Sequence, residues 1–479
     1  MDSDQHCSYR SPLETRNASR QMRAIWSPRN KFSAWRRIWL ALAESQEELG
    51  LPISQEQLSQ LRENLQEIDF EAAARYEKKL RHDVMAHVHA WGDLAPEARG
   101  IIHLGATSQD IVCNGDLMQV REGLQLLELK IARVIHRLGL FAVQWRDLPT
   151  LGFTHYQPAQ PTTVGKRATT WAQDLLIGLE DVRSRRLGLR WRGMRGATGT
   201  QASFLALFEG DGEKVRMMEQ LVGDKLGFAD VQAWPVSGQT YPRLYDAQVV
   251  SSLAITAAAI HKMCNDLRLL SNRREIEEPF EQDQIGSSAM AYKRNPMRCE
   301  RATGLSRFVM SLVQNPLDTA ATQWFERTLD DSSNRRLSLP ESMLALDGAL
   351  DIMINVTSGL VVYPKVIQQH LAAELPFMAT ENILMEAAKL GVDRQEGHEA
   401  IRQHSHEAAT RIKSGLDNDL VERLKSDPLF KDVPIDELMD PASHVGLAAE
   451  QVDQFTLDVV EPIRLRYKGQ LDDQEELNV

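Results

Sequence analysis

The chain has 479 residues, 43% of them hydrophobic and 25% charged. That is too long for one hydrophobic core and ordinary for a soluble globular protein, so two or three domains are expected. A net charge of -12 argues against a general nucleic-acid binder or a protein held on anionic lipid, whereas small anions need only local arginines.

The opening stretch MDSDQHCSYR is acidic and polar, unlike a signal peptide. No run approaches the roughly 18 apolar residues of a membrane span. The four cysteines, Cys7, Cys113, Cys264 and Cys299, form no CxxC pair, which argues against a disulfide scaffold or zinc cluster. A reducing cytoplasm is the expected location.

Helical signals dominate in chain order. Ser54 and Gln57 read as a capping box opening a helix after Pro52. Trp171, Leu175, Leu179 and Val182 mark an apolar helix face. Between Pro242 and Pro279, Val249, Leu253, Ala257, Ile260, Cys264 and Leu267 recur in steps of three and four, one seam of a long helix. About 30 residues would span roughly 45 Å, long enough for a bundle. Met343, Leu346, Leu350, Met353 and Leu360 predict another helix between Pro340 and Pro364. Alternating strands are scarce. After VVYPKV the pattern returns to shorter amphipathic helices and ends in the acidic tail DDQEELNV, read as disordered. The expected fold is mostly α with a central bundle of long helices.

Polar loops rich in Gly, Pro, Thr and Ser separate the helices, and function usually sits on such loops. RHDVMAHVHAW holds His82, His87 and His89, but not at the i, i+3 or i+4 spacing of helical metal ligands. Arg81, His82 and Asp83 offer two donors and an orienting carboxylate in one turn; a solvated charged face is the alternative. GFTHYQPAQPTT sets His155, a side chain suited to proton exchange, among turn formers. GATGTQASF lacks the GK[ST] of a phosphate loop and reads as a turn that lets backbone approach another segment. In QIGSSAMAYKRNPMRCE, Gly286 allows unusual dihedrals, Ser287 is presented at a mobile point, and Lys293 and Asn295 add a cation and amide donors. No GxSxG elbow surrounds Ser287, and a flexible polar loop is the plain alternative. WFERTLDDSSNRR gathers Arg327, Ser332, Asn334, Arg335 and Arg336 for a polyanion, with surface pairing to Asp330 and Asp331 as the competing reading.

GSSAMAYKRNPMRCE resembles the signature loop of the fumarase/aspartase superfamily, GSSxMPxKxNPxxxE. HLGATSQDIVCNGD and LGFTHYQPAQPTT resemble its first and second conserved regions. Within the superfamily, KRNPMR, GFTHYQPAQPTTVGKR, WFERTLDDSSNRR, VVYPKVI and ELPFMATENI are similar to the animal-like adenylosuccinate lyases, from about residue 9 to about residue 465. The resemblance implies an all-α fold of three helical domains, 1–107, 108–362 with the signature loop, and 363–479. It also implies a homotetramer with a 20-helix core, active sites shared among subunits, and no metal or organic cofactor. The implied reaction is β-elimination of fumarate from adenylosuccinate, giving AMP, and from a succinylated imidazole-carboxamide ribotide (SAICAR), giving AICAR.

By motif matching, Ser287 would be the general base and His155 the general acid. Thr107, Ser108, Lys293 and Asn295 would bind the succinyl carboxylates. Arg16, Asn17, Arg81, His82, Asp83, Gln239, Arg301, Arg327, Ser332 and Arg336 match positions that hold the nucleotide, its phosphate or the succinyl group. The signature loop would close as a lid over bound substrate. Two positions depart from the pattern: Ala291 stands where the signature has Pro, and Asn17 where relatives carry Tyr. Superfamily lyases acting on argininosuccinate or aspartate, and a non-catalytic crystallin-like relative, are the alternatives. The basic residues and the KRNPMR form argue against the former, and retention of both Ser287 and His155 against the latter.

Overall fold

The computed structural model describes residues 7–472, so the last seven residues of the acidic tail lie outside the described part. The core is a bundle of long helices: Ser108–Gln144, Val164–Leu187, Leu244–Asn272, Met297–Ser311 and Asp330–Ser358. They pack on one another, and Pro28–Glu48 lies against the first of them. The expected seams drive this packing. Val249, Leu253, Ala257, Ile260, Cys264 and Leu267 are all buried, as are Trp171, Leu175, Leu179 and Val182. The Ser54–Gln57 capping box also forms, with Gln57 N–H donating to Ser54 Oγ and Ser54 N–H to Gln57 Oε1.

Three readings of the helices and loops change. The helix expected after Pro340 begins at Asp330 and carries Pro340 inside it, while Leu360 falls beyond its end. Core packing of the long flanking segments outweighs the one lost backbone bond. The His155 region is an antiparallel hairpin, Pro149–Thr154 with Gln157–Thr163, rather than an irregular loop. By mean hydropathy a window of Leu244–Asn272 does reach the level of a membrane span, against the expectation from unbroken apolar runs; 61% of that window is buried inside the bundle.

A second small pairing, Ile276–Glu277 with Val361–Val362, ties the segment entering the signature loop to the start of the C-terminal helices. One apolar cluster runs through the bundle from Leu13 to Ile367 and takes in Val452, Ile463 and Leu471, so the C-terminal end folds back on the long helices. A separate cluster fills residues 379–435.

Inside the bundle, Lys130 Nζ lies 2.6 Å from Asp347 and 2.5 Å from Asp351, and Asp347 Oδ2 accepts the Ser19 N–H at 2.7 Å. Lys130 and Asp347 are fully buried. This cluster fixes the segment after Arg16 and Asn17 to the central helices. Two histidines outside this cluster stay neutral: burial holds His87 and His103 at about 4, and His103 Nδ1 accepts the Trp39 indole N–H at 3.0 Å.

Lys130→Met strands two buried carboxylates and should lower unfolding stability by about 3–5 kcal/mol, read as a lower denaturant midpoint; an unchanged midpoint rejects the role. The histidine values lie below the ordinary 6.5, so the unfolded chain binds more protons between the two. Their contribution is therefore complete above about pH 6.5 and lost as pH falls toward 4. Thermal midpoints measured from pH 7 to 4.5 should fall in that window, and a flat profile contradicts it.

Candidate active site

Most of the expected ligand-binding residues form one surface at the ends of the long helices. Arg81 ends the helix Phe70–Leu80 in a left-handed conformation, φ 56°. That turn places His82 as the cap of Asp83–Leu94, where its Nδ1 accepts the Met85 N–H at 3.3 Å. With Nδ1 accepting, Nε2 carries the proton and faces Ser108 Oγ at 3.3 Å. Asp83 pairs with Arg336 at 2.7 Å. Burial alone would raise the Asp83 pKa, but the Arg336 hydrogen bond and charge bring it below the ordinary carboxylate value. Arg81, His82, Asp83, Ser108 and Arg336 are thus brought together from three segments.

Thr107 and Ser108 are held by Asp110, a fully buried carboxylate that the sequence reading passed over. Asp110 Oδ2 accepts the Thr107 N–H at 2.7 Å; its Oδ1 accepts from Arg195 N–H at 2.7 Å, Gly196 N–H at 3.1 Å and the buried Arg192 guanidinium. Arg192 also donates to the Gly196 and Gly238 carbonyls at 2.8 and 3.1 Å. The Thr107–x–x–Asp110 spacing was the available signal.

Gln239 joins the same surface. Its side chain donates to Ala197 O and its N–H to Glu326 O, each at 3.0 Å. The close approach expected of GATGTQASF is real: a Cβ on Gly199 would lie 1.8 Å from Ser237 O, and its φ is 85°. Arg327, beyond Glu326, lies 3.3 Å from Asp331, which the buried Arg243 also holds at 2.7 Å. Pairing with Asp331 therefore accounts for part of the arginine cluster. Ser332 and Arg336 follow one turn apart on one face of Asp330–Ser358.

Arg16 and Asn17 sit in a single wide π-helical turn, Leu13–Asn17, packed on Asp330–Ser358. Asn17 spends its amide locally, donating to Pro12 O at 2.9 Å. Arg16 faces Arg301 closely enough that burial first, and then its like charge, lowers the Arg301 pKa.

Ser287 lies in a small turn of its own, where Oγ accepts the Ala289 and Met290 N–H groups at 3.4 and 3.2 Å. Asn295 closes the loop by donating to Gly286 O at 2.8 Å. Gly286 is needed for close approach, since a Cβ would lie 2.1 Å from Lys293 O. Its φ is not in the left-handed region, so unusual dihedrals are not its contribution. Lys293 is exposed.

His155 is exposed at the hairpin tip. It and Tyr156 form the two-residue turn, with φ of 53° and 57°. Such turns require positive φ at both positions and normally use Asn and Gly. Two ordinary residues there cost about 1–2 kcal/mol each, the kind of strain that collects at functional sites. Among the described residues, no hydrogen bond or ion pair joins His155, Ser287 or Lys293 to the surface around Ser108 and Arg336.

Residues 14–311 match the family model described as Lyase, and residues 376–455 match Adenylosuccinate lyase C-terminus. The chain is 52% identical to the adenylosuccinate lyase of Schizosaccharomyces pombe over 94% of each chain. It is 50% identical to that of Saccharomyces cerevisiae, over 98% of this chain and 99% of the yeast protein. The fold is shared with a 3-carboxy-cis,cis-muconate lactonizing enzyme from Pseudomonas putida, with a TM-score of 0.81 at 22% identity over 95% of this chain and 99% of that one. A fumarate lyase from Mesorhizobium has a TM-score of 0.78 at 23% identity, over 94% of this chain and all of that one. With a family model spanning more than half its length and such relatives over nearly all of it, the chain belongs to the adenylosuccinate lyase family.

Proposed function

We propose that the chain is a carbon–nitrogen lyase that eliminates fumarate from adenylosuccinate, giving AMP, and from SAICAR, giving AICAR. The observation that carries this reading is the 52% identity to a curated adenylosuccinate lyase along 94% of the chain. Ser287 removes the proton from the succinyl Cβ, the electron pair becomes the double bond of fumarate, and the C–N bond breaks. His155 protonates the departing nitrogen. The developing negative charge spreads onto the neighbouring carboxylate, so donors aimed there lower the barrier most. Thr107, Ser108, Lys293 and Asn295 supply them. The arginine-rich surface holds the rest of the nucleotide.

The active form is a homotetramer with shared sites and the three-domain division 1–107, 108–362 and 363–479. Two features support the sharing. Ser287 and His155 stand on separate elements, away from the Ser108 surface. In addition, Leu244–Asn272 has a second, exposed seam at Leu244, Gln248, Ile255, Ala258, Lys262 and Leu269, spaced as a helix partner requires. Leu244 is 61% exposed and Ile255 and Leu269 43% each, an apolar face that association would cover.

Purified protein mixed with adenylosuccinate should consume the succinyl-purine absorbance, and absence of turnover by folded protein overturns the reading. Ser287→Ala and His155→Ala should each lower kcat by about 10²–10⁴-fold with the fold intact. A near-normal rate in either variant removes that residue from its role.

Ala291 marks how the lid is tuned. Lys293 N–H donates to Met290 O at 3.0 Å, so Ala291 is the second residue of a turn, a place that suits Pro. Ala291→Pro should therefore be accommodated, restrict the open loop by about 0.4–1 kcal/mol, and slow its opening or improve turnover at limiting substrate. Unchanged kinetics together with unchanged hydrogen exchange across 284–296 would rule this out.

A further inference from the structure

Lys31, on the helix Pro28–Glu48, reaches the wall of the arginine-rich surface. Its ammonium lies 5.0 Å from the Trp35 ring centroid and 5.4 Å from that of Phe32. Phe32 stacks on His87 at 3.7 Å, in the helix that opens at Asp83. The charges acting on Lys31 are Asp116, Arg336, Asp83 and Glu77. The first two carboxylates around it are already matched: Asp83 pairs with Arg336 at 2.7 Å and Asp116 with Arg335 at 2.9 Å.

Among the described residues, no carboxylate stands within 4.0 Å of Lys31. Burial, the largest influence, pulls its pKa below the ordinary 10.5, against the opposing pull of Asp116. A desolvated cation without a close counter-ion is unfavourable in the free chain and becomes favourable when a ligand brings an anion to it. Arg336 and Asp83 stand close enough to act on Lys31, and with His82 and Ser108 they bound the surface such a ligand would occupy.

We propose that Lys31 is a substrate-binding residue of this site, a point charge that meets an oxyanion of the succinyl-nucleotide beside Arg336. The inference rests on the lyase reading above. The oxyanion is either the phosphate or a succinyl carboxylate, and the two products separate these sources, since AMP carries only the first and fumarate only the second.

Lys31→Met keeps an apolar stem over Trp35 and Phe32 while removing the charge. Wild type, Lys31→Met and Lys31→Arg are compared for adenylosuccinate turnover, for inhibition by AMP and by fumarate, for AMP binding by calorimetry, and for thermal midpoint. The expected result for Lys31→Met is a KM raised about tenfold or more, a smaller change in kcat, an unchanged thermal midpoint and recovery in Lys31→Arg. Weakened inhibition by AMP alone assigns the phosphate; weakened inhibition by fumarate alone assigns the carboxylate. A KM within twofold of wild type with both inhibitions unchanged overturns the proposal, as does a loss explained by a lowered midpoint that Lys31→Arg does not restore. Active wild type with an unaffected Lys31→Met sinks Lys31 only. Wild type that neither cleaves adenylosuccinate nor binds AMP overturns both readings.

Discussion

A single buried carboxylate, Asp110, ties together the loops that carry Thr107, Ser108 and Gln239. It accepts backbone N–H groups from Thr107, Arg195 and Gly196 and the guanidinium of Arg192, which continues to the carbonyls of Gly196 and Gly238. Three segments distant in sequence are closed by one charge pair with no solvent exposure. Loops rich in Gly and Thr have little apolar area with which to order themselves. Here their order comes from directional bonds to a charge, which are stronger than neutral ones and expensive to break. Thr107, Ser108 and Gln239 inherit their positions from that knot.

The remaining arginines are organised by the same rule. Arg335 is buried against Asp246 at 2.6 Å and Asp116 at 2.9 Å, and Arg243 is buried against Asp331. These structural pairs absorb the acidic residues around the site. Nearer the surface, Arg336 is matched by Asp83, while Lys31 beside them has no carboxylate within 4.0 Å among the described residues. In this way a chain of net charge -12 presents a locally positive surface.

The groups proposed for proton transfer are carried differently. Ser287 lies in a loop tied shut at Gly286 and Asn295, and His155 on a strained hairpin tip. Both depend on short-range backbone geometry rather than on the bundle core. The rigid helices hold the charges proposed to bind the ligand, and small local turns carry the groups proposed to transfer protons.

Much of this was legible in one dimension. The bundle seams follow from the 3.6-residue period, and the Ser54–Gln57 cap from its spacing. The candidate site residues came from motif order. The hairpin was hidden because Pro158 and Pro161 break the alternating signal; in a two-stranded ribbon every strand is an edge, so a missing N–H is tolerated. The helix start at Asp330 was hidden because Pro340 signals a stop that packing overrides. Sequence by itself determined the helical architecture, the family and the identity of the candidate acid, base and arginines, since periodicity and motif chemistry are local properties of the chain. Only the tertiary structure decided which charges are used up in Asp110–Arg192, Arg335–Asp246 and Arg243–Asp331, and therefore which remain for a ligand. Pairing of buried charges depends on distance and desolvation, and neither exists until the helices pack.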